Sequence, residues 1–215
     1  EIIIIYDDPD HNDLSFLKKI IKKDERIKLI INDTNHGAGK SRNSGIKKSR
    51  GDYIAFLDSD DIWLYNKIET QLKFMKENNA VFSHTSYKVL NKDLMYSIRH
   101  ARDFNYLPDL LKSCDIGLST VMLKKNLLNY NCEFPSMVSK EDFVLWLKIL
   151  KNGISLKGID NVLTIWRETE NSLSSSIYQK MKDGFNVYYK HMNFNFLKSF
   201  IYLMYLSINY IKKSK

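Results

Sequence analysis

The sequence has little cysteine. Cys114 and Cys132 are the two in 215 residues, far apart and in no ligand pattern. That excludes a disulfide scaffold, and a reduced, cytosolic chain is the expectation. There is no internal repeat and no low-complexity segment, so repeat architectures are excluded too. Nor is there a signal peptide: the chain opens on Glu1 and enters Ile2-Ile3-Ile4-Ile5 at once, so it reads as a fragment whose beginning is missing. The basic residues outnumber the acidic, 33 to 25, for a net charge of +8, but no block of lysine concentrates that charge. Anionic partners such as nucleotide phosphates or a membrane surface are expected, whereas a nucleic-acid partner would rest on charge alone and is not. With 44% hydrophobic and 27% charged residues, the balance is that of one globular domain with a substantial core.

The most informative stretch is Gly51 to Asp61. Tyr53 to Leu57 suits a strand buried on both faces, and it ends abruptly in Asp58-Ser59-Asp60-Asp61. In open α/β sheets ligands bind beyond the carboxyl ends of strands, which puts Asp58, Asp60 and Asp61 at the mouth of a site. Three carboxylates in four residues repel one another unless a divalent cation sits among them, and hard oxygen ligands suit Mg²⁺ or Mn²⁺. The plainer alternative is a polar turn in which one Asp caps the next helix.

Strand and helix alternate around this stretch. Ile2 to Tyr6 reads as a strand, Leu14 to about Lys23 as a helix after Asn12 or Asp13, Ile27 to Ile31 as a strand, and Lys40 to Ser49 as a helix stopped by Gly51. Leu64, Ile68, Leu72 and Met75 line a further helix, and Ala80 to Tyr87 returns as a strand. This alternation predicts a mainly parallel sheet covered by helices. Later come a helix around Leu107 to Leu111, a strand over Gly117 to Leu123 and a short helix over Lys124 to Asn129. A helix capped by Ser139 follows, with Phe143, Leu147 and Leu150 on one face, then two strands, Ile154 to Gly158 and Val162 to Arg167. Trp63, Trp146 and Trp166 read as core rather than as exposed stacking platforms.

From Asn193 to Lys215 the chain is rich in Phe, Leu, Ile, Met and Tyr, interrupted by Lys198 and asparagines, near the lower limit for a bilayer span. Two readings stand: a helix lying in the membrane interface, with Lys212, Lys213 and Lys215 near anionic lipid, or a helix packed on the domain or on a partner chain. His36-Gly37-Ala38-Gly39-Lys40-Ser41 imitates a phosphate loop, but Thr34 stands where the first glycine is required, so the nucleotide-triphosphatase reading fails. A helix start of this kind can still face a phosphate. Glu141 and Asp142, taken alone, could simply favour the positive end of a helix dipole, which lowers a carboxylate pKa; a base there must gain strength from desolvation or from substrate contact.

Taken together, Asp7-Asp8, Ser41-Arg42-Asn43-Ser44-Gly45-Ile46, Gly51 to Asp61 with Trp63 and Lys67, and Lys140-Glu141-Asp142-Phe143-Val144-Leu145-Trp146-Leu147 resemble the family 2 glycosyltransferases in order and spacing. The likeness runs through residues 1 to 172, fading after Trp166-Arg167 and Asn171-Ser172. It implies a GT-A-type α/β domain over 1–172, its first strand and helix missing before Glu1, with a C-terminal helical appendage over 173–215. It implies an inverting, metal-dependent transferase that uses a nucleotide-sugar such as a UDP-sugar and a glycan or lipid-linked glycan acceptor, in polysaccharide synthesis at the inner face of a membrane. In that likeness Asp8, with Asp7, contacts the uracil, Arg42 helps hold the nucleotide, Asp58 lies near the ribose or sugar, and Asp60 binds Mn²⁺ or Mg²⁺. Asp142, supported by Glu141, is the general base. A nucleotide-sugar-binding module without turnover is the alternative.

Overall fold

The computed structural model describes residues 1–90, 96–128, 132–168 and 177–213. The Asn171-Ser172 end of the family likeness, and Lys215 in the tail, lie outside the described residues. The first elements follow the sequence pattern closely. β1 (Ile2–Tyr6), α1 (Leu14–Ile21) and β2 (Ile27–Ile31) form a strand–helix–strand unit whose strands pair in parallel, from Ile2 opposite Ile27 to Tyr6 opposite Ile31. α2 (Ala38–Lys48) packs against β1, where Gly45 lets Ile5 and Ile3 lie close.

The remaining strands form a second sheet in the order β3-β7-β5-β8-β4: β3 (Tyr53–Ala55), β7 (Met122–Lys124), β5 (Phe82–Leu90), β8 (Lys157–Arg167) and β4 (Ile62–Trp63). β6 (Tyr96–Arg99) pairs with β5 as well. The expected mainly parallel sheet is therefore corrected. Among the described residues only β1–β2 and β5–β8 are parallel, while β3–β7, β4–β8, β5–β6 and β5–β7 are antiparallel. The reason is the choice of partner. β3 and β4 lie at opposite ends of this sheet and pair with β7 and β8 from later in the chain, and β6 returns along β5 as a hairpin partner does. Two smaller corrections have local causes. Leu118–Thr120 is a 3-10 turn ahead of β7, so the expected strand from Gly117 is shortened to three residues. The two strands expected between Ile154 and Arg167 are one, with a bulge where the register steps from Thr85–Ile159 to Ser86–Val162.

Helices cover the sheet: α3 (Lys67–Glu77), α4 (Leu107–Leu111), α5 (Glu141–Lys151), α6 (Ile177–Asn186) and α7 (Phe196–Lys213), with a π-helical turn at Val187–His191 after α6. α5 is the central one. Phe143 to Leu147, Ile149 and Leu150 are all buried, so the helix is enclosed rather than buried on one face. Trp146 is fully buried and packs edge-on against Phe82 and Phe134. Val187, Tyr188, Met192 and Leu206 belong to the same apolar cluster, and the Tyr188 hydroxyl donates to the Leu111 carbonyl at 2.7 Å. The C-terminal helices thus share the core of the preceding residues. The packed reading of the tail holds for one face of α7, while its opposite face stays exposed.

Candidate active site

Three distant segments meet at Arg42 on α2. Its guanidinium donates to Asp58 Oδ1 at 2.8 Å, in the loop after β3, and to Glu141 Oε1 at the start of α5. Burial works against the cation, and the two carboxylates more than offset it, so the Arg42 pKa is raised further. α2 can reach this position because Gly39 has no side chain: a Cβ there would lie 2.6 Å from the Pro135 carbonyl oxygen. Asn43 then fixes the same neighbour, donating to the Phe134 carbonyl at 2.8 Å and accepting from the Phe134 amide at 3.1 Å. The Arg42 guanidinium also lies 5.5 Å from the centre of the Phe134 ring.

Asp142 follows Glu141 in the first turn of α5, and Lys140 just before it has a left-handed backbone, φ 66°. The Ser139 hydroxyl does not cap the helix as expected; its amide and hydroxyl both donate to Asp183 on α6, at 3.1 and 2.9 Å. Asp142 is half-buried and accepts the Phe143 amide at 2.7 Å. Desolvation pushes its carboxyl up to about 7, and the neighbouring Glu141 carboxylate adds to the rise while Arg42 opposes it. The dipole expectation of a lowered pKa is outweighed by burial. A carboxylate of this kind is matched to proton transfer near neutral pH.

The acidic loop divides into unlike members. Asp58 and Asp60 are half-buried; Asp61, expected at the mouth, is buried instead. Asp61 Oδ1 accepts the Arg167 amide at 3.2 Å, and burial pushes its carboxyl up to about 6. The Arg167 side chain donates to the Asp60 carbonyl, tying the loop to the end of β8. Ser119 supports it from below: its hydroxyl accepts the Asp58 amide at 3.0 Å, and its carbonyl accepts the Trp63 indole at 2.7 Å. Ser119 was invisible in the sequence, and Arg167 was visible only as the fading end of the family likeness. Trp166, expected as core, is 40% exposed at that same strand end.

At the other sheet, Asp7 Oδ1 accepts Asn32 Nδ2 at 2.6 Å and the His36 amide at 2.9 Å, and Oδ2 accepts the Gly37 amide at 2.8 Å. Asp7 thereby holds the loop that enters α2, where Gly37 has φ 80°, and a carboxylate takes the loop amides that the sequence offered to a phosphate. Asp8 accepts the Asp10 amide at 3.0 Å and the Tyr6 hydroxyl at 3.3 Å. Arg42, Asp58, Glu141 and Asp142 are thus brought together, and Asp7 and Asp8 stand at the end of β1.

Among the described residues no group of three His, Cys, Asp or Glu side chains could by itself enclose a metal ion. Mg²⁺ is commonly held by one or two carboxylates with substrate phosphates completing its shell. The hard oxygen donors of Asp58 and Asp60, half-buried in a loop without sulfur or imidazole, fit that arrangement.

Residues 1–130 match the family model described as Glycosyl transferase family 2. The chain is 37% identical over 205 residues to the UDP-Glc:alpha-D-GlcNAc-diphosphoundecaprenol beta-1,3-glucosyltransferase WfgD of Escherichia coli, covering 95% of this chain and 78% of that protein. It is 32% identical over 215 residues to the putative teichuronic acid biosynthesis glycosyltransferase TuaG of Bacillus subtilis, covering 99% and 85%. Among solved structures, residues 1–349 of S. aureus TarS in complex with UDP-GlcNAc superpose with a TM-score of 0.67 at 21% identity. That likeness covers 94% of this chain and 61% of the solved one.

Proposed function

The chain belongs to glycosyl transferase family 2, and from that premise we propose an inverting, metal-dependent hexosyltransferase. It moves a sugar from a UDP-sugar to a lipid-linked glycan at the inner face of a membrane, in the synthesis of a cell-surface polysaccharide. The donor and acceptor classes are supported by the names of the relatives, two of which in E. coli are called UDP-Glc:alpha-D-GlcNAc-diphosphoundecaprenol glucosyltransferases. The observation that supports the mechanism is the cluster at the start of α5: Asp142, its carboxyl raised by desolvation, stands next to Glu141, which with Asp58 is ion-paired to Arg42.

In this reading the acceptor oxygen bonds to the anomeric carbon as the bond from that carbon to the UDP oxygen breaks. The hydroxyl proton passes to Asp142, and the electron pair leaves with UDP. One displacement inverts the anomeric centre. Asp8 is assigned to the uracil, with Asp7 shaping the loop beside it. Asp58 faces the ribose or sugar, held by Arg42, which acts on the nucleotide through that carboxylate. Asp60 is assigned to the cation. When held there, Mn²⁺ or Mg²⁺ would supply positive charge to offset that of the diphosphate.

The test is transfer from UDP-glucose and UDP-GlcNAc to a synthetic polyprenyl-diphosphate GlcNAc, with Mn²⁺, with Mg²⁺ and with EDTA. The expected product has the linkage opposite in anomeric configuration to the donor, EDTA abolishes it, and Asp60→Asn loses metal-dependent UDP binding while staying folded. Metal-dependent UDP binding without transfer or donor hydrolysis would establish the binding module instead.

A further inference from the structure

α7 is apolar on both sides. The side that meets the core carries Ser199, Leu203 and Leu206, all buried. On the opposite side Leu197, Ile201, Met204, Ile208 and Ile211 recur at alternating spacings of four and three and are 44–68% exposed, with Phe200 beside them at 48%. A helix apolar all round is normally enclosed, so this outer stripe calls for an occupant. No described helix is long and apolar enough to cross a membrane, so α7 would lie along a surface.

Charge decides between the candidate occupants. The stripe has the spacing of a coiled-coil seam, and a second copy of the chain would need opposite charges along its flanks. One flank of the seam holds Lys198, Tyr205 and Lys212 and the other Phe200 and Ser207, and α7 contains no acidic residue, so a second copy would meet no opposite charge there. The surroundings are basic as well. A cleft of about 400 Å³ at the C-terminal end of α7 is lined by Arg99, Arg102, Lys112 and Lys212, against Asp109 and Asp115. Asn209 joins the helix to this cleft by donating to the Lys112 carbonyl at 2.9 Å, and the Lys112 ammonium lies 5.3 Å from the Tyr205 ring centre. Apolar side chains flanked by cations and tyrosines match the anionic headgroup layer of a bilayer.

We infer that the outer stripe of α7, with the basic cleft at its end, is the surface by which this protein docks on an anionic phospholipid bilayer. The docking helix is joined to the candidate active site through α6. Gly184 admits Leu203 so closely that a Cβ would lie 2.9 Å from its Cδ1, and the adjacent Asp183 holds Ser139, two residues before Glu141. A bilayer on α7 therefore bears on the element pair that fixes the start of α5. This deepens the proposed use of a lipid-linked acceptor, but the docking itself requires no turnover.

The test is sedimentation of the whole chain with phosphatidylglycerol-containing vesicles and with pure phosphatidylcholine vesicles, beside light scattering for mass. Binding is expected to the anionic vesicles only and to weaken with salt. Ile201→Asn with Ile208→Asn should lower the affinity at least about tenfold while the melting temperature and UDP binding are kept. Lys112→Gln with Lys212→Gln should remove the preference for anionic lipid. Vesicle binding that these variants leave unchanged would overturn the inference, as would a dimer broken by the asparagine pair in a protein that ignores vesicles. Failure to sediment with intact transferase activity would refute the docking surface alone, and docking without transfer would refute the proposed enzyme alone.

Discussion

Asp7 and Asp142 both stand at the end of a regular element, yet their surroundings drive them in opposite directions. At the end of β1, Asp7 is met by three N–H donors from Asn32, His36 and Gly37, which outweigh its partial burial and lower its pKa. At the start of α5, Asp142 accepts a single backbone amide, sits beside another carboxylate and is pushed up to about 7. The difference teaches that the balance of desolvation and like charge against hydrogen-bond donors, rather than residue type or position in a motif, sets the two carboxylates apart.

The largest effect is expected from Asp142→Asn. Transfer should fall by about 10²–10⁴-fold with donor affinity unchanged, because the amide cannot accept the acceptor proton. Glu141→Gln should cost less. Rates measured with donor saturating keep weakened binding from passing for weakened chemistry. Equal losses of donor affinity and rate in Asp142→Asn would move that residue into the nucleotide pocket.

Arg42→Met comes next. It keeps the packing over Phe134 but strands Asp58 and Glu141, and removing one partner of a buried ion pair is costly. Because the Asp58 side chain is 36% exposed, a loss of about 2–3 kcal/mol in denaturant unfolding is expected, below the full cost of a buried pair. A stability unchanged by that substitution would show that the three charged groups are held independently.

The smallest effect sharpens the contrast most. Asp7 has a lowered native pKa, so its contribution to stability is present above the unfolded carboxyl pKa and is lost as pH falls through the native value. Asp7→Asn should therefore destabilise by about 1–2 kcal/mol at pH 7, since an amide turns a donor toward other donors, and the penalty should shrink in acid. Asp142 has a raised pKa, so stability present below the unfolded value is lost as pH rises to about 7. Asp142→Asn should then melt higher than the parent above pH 7, with the gain fading toward pH 4. Melting curves of both variants across that range would collapse the comparison if the two differences ran in the same direction.

Much of the local structure was legible because it rests on short-range pattern. The β-branched run of β1 carries its signal within a few residues. Two neighbouring expectations are corrected: α2 stops at Ser49, in extended backbone, two residues before Gly51, and the strand leading toward Asp58 spans only Tyr53–Ala55, half-buried at the sheet edge, with Leu57 48% exposed. Strand direction was not legible, because it depends on partners far along the chain: β3 lies on β7 and β4 on β8. The gap between the two strands expected at Ile154 to Gly158 and Val162 to Arg167 is a bulge in one strand, with Asp160 held by Ser86 at 2.6 Å and His100 at 2.8 Å. The site shows the same limit. The sequence marked Arg42, Asp58, Glu141 and Asp142 through the family likeness, but the buried place of Asp61 depends on Arg167, 106 residues away. The donors around Asp7 come 25 to 30 residues later, so its structural role could not be read from the motif that contains it.

The central claim is that Asp142 takes the acceptor proton with a carboxyl that titrates near neutrality. Its most direct test is the transfer rate from pH 5 to pH 9, with donor and metal saturating, in the parent protein and in Asp142→Asn. The parent should rise about tenfold per pH unit in acid and level off near pH 7, and the variant should be slow and flat. A parent profile that is flat across this range, or a variant that keeps the parent rate, would contradict the account.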